Sequence, residues 1–219
     1  LLSTPARPEI DHRTIKLVVG VIALALPFLT WALAGHEITS ISASYYETGP
    51  SQSVFIGFLF AIASFLLGYN GRSQGEMIFS KVAAVAAICI VLLPCDCDGR
   101  PGSTERYHYL SAATMFAILI FFCYGFFRRA REKGHAQGRH RAIVYLSCAI
   151  VMALSILTIG GDVLSNGALS ARLGSLLTFW GETLALVAFG ISWLLASHVV
   201  PVLTRQEERF SPFRDANPP

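Results

Sequence analysis

The chain has 219 residues, 53% of them hydrophobic and only 14% charged, with a mean hydropathy of +0.55. Charged residues make up about a quarter of an ordinary soluble domain, so this composition excludes one and leaves any substrate or partner to be met in the membrane or at its surface. The net charge of +3 is mild, and it conceals a marked polarity between the two sides of the chain.

Six apolar runs, near 17–34, 53–69, 77–94, 109–127, 142–160 and 175–200, approach or exceed the roughly 20 apolar residues that a helix needs to cross a hydrocarbon core of about 30 Å. They predict an all-α fold: a polytopic transmembrane bundle of six helices over 14–204, with an N-terminal tail at 1–13 and a C-terminal tail at 205–219. The opening Leu1-Leu2-Ser3-Thr4-Pro5 turns polar within a few residues and does not read as a cleavable signal. Without an initiating Met, the chain is expected to be trimmed.

The first run carries Pro27, which frees a backbone carbonyl and predicts a kink. After it comes Gly35-His36-Glu37-Ile38-Thr39-Ser40-Ile41-Ser42-Ala43-Ser44-Tyr45-Tyr46-Glu47-Thr48-Gly49-Pro50, rich in hydroxyls and lacking Lys and Arg. Ser40, Ser42 and Ser44 alternate with apolar residues, as in a short extended or re-entrant segment. Tyr45 and Tyr46 read first as an interfacial aromatic belt and second as a ligand clamp. The third run has Lys81 in its first turn, where an ammonium can snorkel to the headgroups.

Between the third and fourth runs lies Pro94-Cys95-Asp96-Cys97-Asp98-Gly99-Arg100-Pro101-Gly102-Ser103-Thr104-Glu105. Asp96, Asp98, Gly99 and Glu105 fit positions of a helix–loop–helix calcium loop. Pro94 stands where the first oxygen ligand belongs, so a plain acidic turn is the stronger reading. Cys95 and Cys97 with His108 offer soft ligands to zinc or copper, a set that is incomplete unless His36 joins it. A Cys95–Cys97 disulfide is a further alternative in an oxidising compartment, and so are two plain thiols. No cofactor is the default expectation, with calcium or zinc at 95–108 as its rival. Cys89, Cys123 and Cys148 fall within runs and read as small core residues.

The fourth connection runs from Arg128-Arg129-Ala130-Arg131-Glu132-Lys133-Gly134-His135 to Arg141. It can be read as a patch for nucleic acid or acidic lipid, but attraction to anionic headgroups as a topology determinant explains every charge in it. No nucleic-acid partner is expected. The last run holds Glu182 about seven residues from its end, roughly 10 Å deep at 1.5 Å per residue. A carboxyl group there is costly unless protonated, paired or facing a wet cavity, which makes Glu182 a functional candidate. A protonated Glu bonded to a neighbouring helix is the structural alternative. His36, His108 and Asp162 fall at the same level, and with Tyr45, Tyr46 and Tyr107 they outline an expected pocket. His198 falls at the opposite end.

Loop charge orients the chain. Of the 17 Lys and Arg, only Arg100, Arg106 and Arg172 fall on the side that holds Glu37, Glu47, Asp96, Asp98, Glu105 and Asp162. Both termini are therefore expected in the cytoplasm, with loops 35–52, 95–108 and 161–174 outside a cell inner (plasma) membrane.

Three strings carry a resemblance: Ser40-Ile41-Ser42-Ala43-Ser44-Tyr45-Tyr46 with Phe55-Ile56-Gly57, His108-Tyr109, and Glu182 followed by Phe189-Gly190-Ile191-Ser192-Trp193-Leu194. They resemble a family of small, uncharacterised bacterial multi-span inner-membrane proteins, over about Ser40 to Leu195. The resemblance implies a six-helix fold, directs attention to Ser42, Tyr45, Tyr46, His108 and Glu182, and brings no activity with it. Membrane hydrolases of the ceramidase and adiponectin-receptor type hold zinc with three histidines, and the last run here offers only His198, so their metal-activated water is not expected. The leading expectation is a non-catalytic accessory component of a larger membrane assembly or a homo-oligomer. Its alternatives are a protein that binds an outer-leaflet lipid or small amphiphile, a membrane-embedded hydrolase using Glu182 and His108, and, weakest, a small transporter.

Overall fold

The computed structural model describes residues 11–95, 97 and 104–210. Among them are seven α-helices and no strand: α1 His12–Leu33, α2 Pro50–Gly68, α3 Gln74–Leu92, α4 Glu105–Glu132, α5 Ala136–Leu164, the single turn α6 Ser170–Leu173, and α7 Leu177–Ala196. All but α6 are long and apolar enough to cross a membrane. The chain is a multi-pass, all-α membrane protein.

Each long helix packs against its neighbours in sequence, and α1 closes on α7, so the six form a ring. The short α2–α3 and α4–α5 connections make their helices antiparallel neighbours directly. Closure of the ring depends on two glycines. A Cβ on Gly20 of α1 would stand 2.9 Å from the Leu194 backbone nitrogen, and one on Gly190 of α7 would stand 2.9 Å from the Gly20 carbonyl. Small residues of this kind let helix backbones approach where lipid removes the hydrophobic drive to associate.

Helix ends differ from the apolar runs for local reasons. Asp11 caps α1 by accepting the Arg13 N–H at 3.0 Å, and Ser73 caps α3 through the Glu76 N–H at 3.2 Å. The basic stretch expected as a loop is mostly helical: α4 continues to Glu132 and α5 restarts at Ala136, because Arg, Ala and Glu are good helix formers that extend a span into the headgroup region. Lys81 has partners within the protein. Its ammonium donates to the carbonyls of Leu67 and Tyr69 and to the Asn70 side chain, capping the C-terminus of α2, where a cation is favoured. At Pro27, the Thr30 hydroxyl donates to the Leu26 and Pro27 carbonyls at 2.9 and 3.1 Å. α7 stops where His198 enters the left-handed region at φ 65°, the usual place of a terminating glycine.

The two ends of the ring are chemically distinct. One, the basic end, carries the start of α1, the α2–α3 and α4–α5 turns and the segment after α7. The other carries the long α1–α2 connection. Between them Trp193, fully buried, packs with Tyr69 at 5.3 Å, Phe189 at 5.4 Å, Phe122 at 6.2 Å and Phe126 at 6.3 Å between ring centroids. This aromatic layer lies on the basic side of the interior and separates a cavity at each end.

Candidate functional site

The α1–α2 connection folds inward. Ile38, Ser40, Ile41, Ser42 and Ser44 are all buried, and residues Ser42–Tyr46 form a 3-10 turn. The inward course follows from the alternation of small hydroxyls with apolar residues, which lets the segment bury side chains while its backbone finds partners on neighbouring helices. Phe179 N–H of α7 donates to the Thr39 carbonyl at 3.0 Å, and the Tyr46 hydroxyl donates to the Cys95 carbonyl at 2.7 Å.

Glu182 holds the centre of this cap. Its Oε2 accepts the backbone N–H groups of Ile41 at 2.5 Å and Ser42 at 3.3 Å, while Oε1 lies 2.8 Å from Ser42 Oγ. Ser42 Oγ is also 3.3 Å from His108 Nε2. His108 Nδ1 faces two carbonyls, Leu93 at 2.9 Å and Ile90 at 3.1 Å, so it must carry a proton and donate it.

A proton count defines what these three groups can do. Ser42 has one hydroxyl proton and two acidic or basic neighbours. With Glu182 protonated, the carboxyl donates to Ser42 Oγ and Ser42 donates to His108 Nε2. With Glu182 ionised, imidazolium Nε2 donates to Ser42 Oγ and Ser42 donates to the carboxylate. Both arrangements hold the same number of protons and satisfy every member, which is the condition for a buried polar network to be stable. The network faces a cavity of about 100 Å³ with largely apolar walls, among them Leu26, Phe55, Met115 and Leu186.

Other residues expected at this level go elsewhere. His36 is exposed and lies 3.5 Å from Glu47. Asp162 is buried but turns to its own chain, accepting the Leu169 and Ser170 N–H groups at 2.9 and 2.8 Å to fix the turn into α6. Tyr45 stacks edge-on against Tyr46 and accepts from Gln52 Nε2 at its carbonyl. Tyr107 is 61% exposed, too open to line the cavity. Depth alone had grouped residues that face different directions around the ring.

Cys95 and Cys97 are joined in a disulfide, so neither is a free thiolate for zinc or copper, and Ser40 Oγ lies 3.6 Å from Cys97 Sγ at the cavity wall. Asp96 and Asp98 of the calcium reading lie outside the described residues. Glu105 sits in the first turn of α4, and no group of three metal-binding side chains occurs among the described residues.

A second feature was not visible in the sequence reading. Between α1 and α7 a groove of about 710 Å³ opens beside the cap, walled by Pro27, Phe28, Trp31, Phe179 and Trp180, with His36 and Glu37 at its mouth. Thr183 lines it, and its hydroxyl is buried without a hydrogen-bond partner. The paired tryptophans, one near the end of each helix, were the only sequence signal.

The chain matches no family model, no curated protein and no solved structure. Its functional reading therefore rests on these two neighbouring sites alone.

Proposed function

We propose that this chain is a non-catalytic protein of the cell plasma membrane that holds one chain of an outer-leaflet amphiphile in the groove between α1 and α7. The observation that carries the reading is the Thr183 hydroxyl. A threonine within a helix normally bonds back to its own backbone, whereas this one is buried in a groove wall with no partner, and an orphaned buried hydroxyl costs about 1–3 kcal/mol. Rotation of the Thr183 side chain toward the groove it lines would let a ligand carrying an acceptor remove that cost. The groove's volume of about 710 Å³ falls within the roughly 300–1,000 Å³ of small-molecule sites. Its acidic mouth, with Glu37 exposed and Trp31 and Trp180 on either wall, suits a hydroxyl- or ammonium-bearing head.

Orientation is part of the proposal: the basic end faces the cytoplasm, by the excess of Lys and Arg in its short loops. Hydrolysis by Glu182 and His108 is disfavoured by their arrangement. The Ile41 and Ser42 N–H groups, the pair placed to stabilise an oxyanion, are both taken by the Glu182 carboxyl itself, and His108 is oriented by carbonyls. The network instead fixes the cap that forms one rim of the groove.

The test is lipid analysis of protein purified in mild detergent, comparing wild type with Thr183→Phe, which fills the groove. Wild type should retain a stoichiometric amphiphile and the variant should not. Equal retention by both, or none by either, sinks the reading.

A further inference from the structure

At the basic end, the interior of the ring opens into a second cavity, of about 60 Å³, lined by Lys16, Arg72, Arg129, Lys133 and Arg141 together with Tyr69, Tyr145 and His198. Positive-inside bias explains why such residues lie at this end. It does not explain why cations from α1, the α2–α3 turn, α4 and α5 converge on one small interior space.

Arg141 is the informative member. It is 1% exposed, and an arginine so buried requires partners for five N–H donors. Its Nη1 donates to His198 Nδ1 at 2.8 Å and its Nη2 to Glu208 Oε2 at 2.9 Å, while its Nε has no partner. Nearby carboxylates are fewer than the cations. Glu76 pairs with Arg129, and Glu208 is shared between Arg141 and Lys133, the latter at 2.5 Å. Among the described residues neither Lys16 nor Arg72 has a carboxylate within ion-pair distance. The Lys16 ammonium rests instead over the Tyr69 and Phe126 rings, at 5.5 and 5.4 Å from their centroids.

Glu208 is borrowed from outside the bundle. It sits in a short turn, Gln206–Glu208, after α7, and its two oxygens bridge the Lys133 ammonium and Nη2 of Arg141, as two oxygens of a phosphoryl group can. We infer that this cavity is a phosphoryl-anion site, with the Glu208 carboxylate beside it engaging two of the cations that line it, Lys133 and Arg141, as a removable internal stand-in. Its volume holds a few waters or one tetrahedral oxyanion, and arginine is the side chain suited to grip such an oxyanion from several directions. Free phosphate and the phosphodiester of an anionic lipid share this chemistry, and basic pockets between membrane helices bind lipid headgroups.

Melting of the purified full chain in neutral detergent distinguishes them. Inorganic phosphate is titrated at constant ionic strength against chloride, and phosphatidylglycerol is titrated against phosphatidylcholine in mixed micelles. A saturable rise with phosphate assigns the free ion, and a rise with phosphatidylglycerol alone assigns the headgroup. In either case Glu208→Gln, a change at a half-buried residue after α7 that removes the charge held by Arg141 and Lys133, should bind severalfold more tightly, and Lys16→Gln more weakly. A structural ion pair predicts the opposite sign for Glu208→Gln, so a weaker or unchanged response there overturns the site. So does the lack of any rise over chloride and phosphatidylcholine. The groove at the other end is untouched by these variants and its lipid retention stands or falls separately.

Discussion

Ser42 Oγ lies 2.8 Å from Glu182 Oε1, joining the inward cap to a helix 140 residues further along the chain. The same carboxyl receives two backbone N–H groups, so its removal orphans both in a buried place, while the Ser42 hydroxyl can still donate to His108. Each orphaned donor costs about 1–3 kcal/mol, and Glu182→Ala should therefore lower the melting temperature sharply. Glu182→Gln should stay close to wild type, because an amide accepts both N–H groups and donates to Ser42, which then donates to His108. Ser42→Ala should fall between, since Glu182 keeps its backbone donors. Thermal unfolding in detergent decides it: Glu182→Ala as stable as Glu182→Gln would show that the carboxyl does not hold the cap.

Thr183 makes the groove testable by a change of one atom. Thr183→Val replaces an orphaned hydroxyl by a methyl group of the same shape, which is neutral or stabilising for the empty protein. The same change should weaken a bound amphiphile by about 1 kcal/mol, roughly fivefold in Kd. Melting measurements with and without added amphiphile separate the two effects. A variant that loses stability when empty would mean that the hydroxyl has an internal role.

The long helices and the polarity of their ends were legible because both follow from composition along one dimension: apolar length and loop charge. Glu182 was legible as a carboxyl group deep in a span and His108 by its depth, while Ser42 was singled out only through the resemblance. What the sequence concealed was direction around the ring. His36, Asp162 and Tyr107 share a depth with Glu182 yet face the groove mouth, the α6 turn and the outside. The groove was hidden because it lies between α1 and α7, the first and last spans, whose adjacency around the ring no apolar run announces. The basic cavity was hidden because positive-inside bias already accounted for every charge in it.

The Cys95–Cys97 disulfide joins residues two apart, so it ties no distant elements together. Closing so short a loop restricts the unfolded chain little, worth under about 2 kcal/mol by the chain-entropy argument. Cys95→Ser/Cys97→Ser should therefore fold and melt within a few degrees of wild type, with the Tyr46 bond to the residue 95 carbonyl preserved. Collapse of the double variant would assign the bridge a larger part in seating the cap.

Acid should loosen the segment after α7 in two stages with different owners. Burial and the neighbouring Arg141 hold the His198 imidazole down to about 4 from its ordinary 6.5. The unfolded segment therefore takes up a proton that the docked one refuses, and docking stability falls as pH drops from 6.5 through 4. Burial alone would raise the Glu208 carboxyl, but hydrogen bonds from Lys133 and Arg141 outweigh it and hold the group at about 2 against an ordinary 4.5. Here too the unfolded state binds protons first, so stability present above 4.5 is lost as pH falls toward 2. Hydrogen exchange at the amides of Glu208 and Phe210, which donate to the Arg205 and His198 carbonyls, reads the docking directly. His198→Asn retains a residue tolerant of the left-handed backbone and should flatten the upper stage, while Glu208→Gln should flatten the lower and, by removing a carboxylate that raises the His198 imidazole, carry the upper stage to lower pH. Protection that rises on acidification, or that neither variant alters, would show that these groups do not govern the docking.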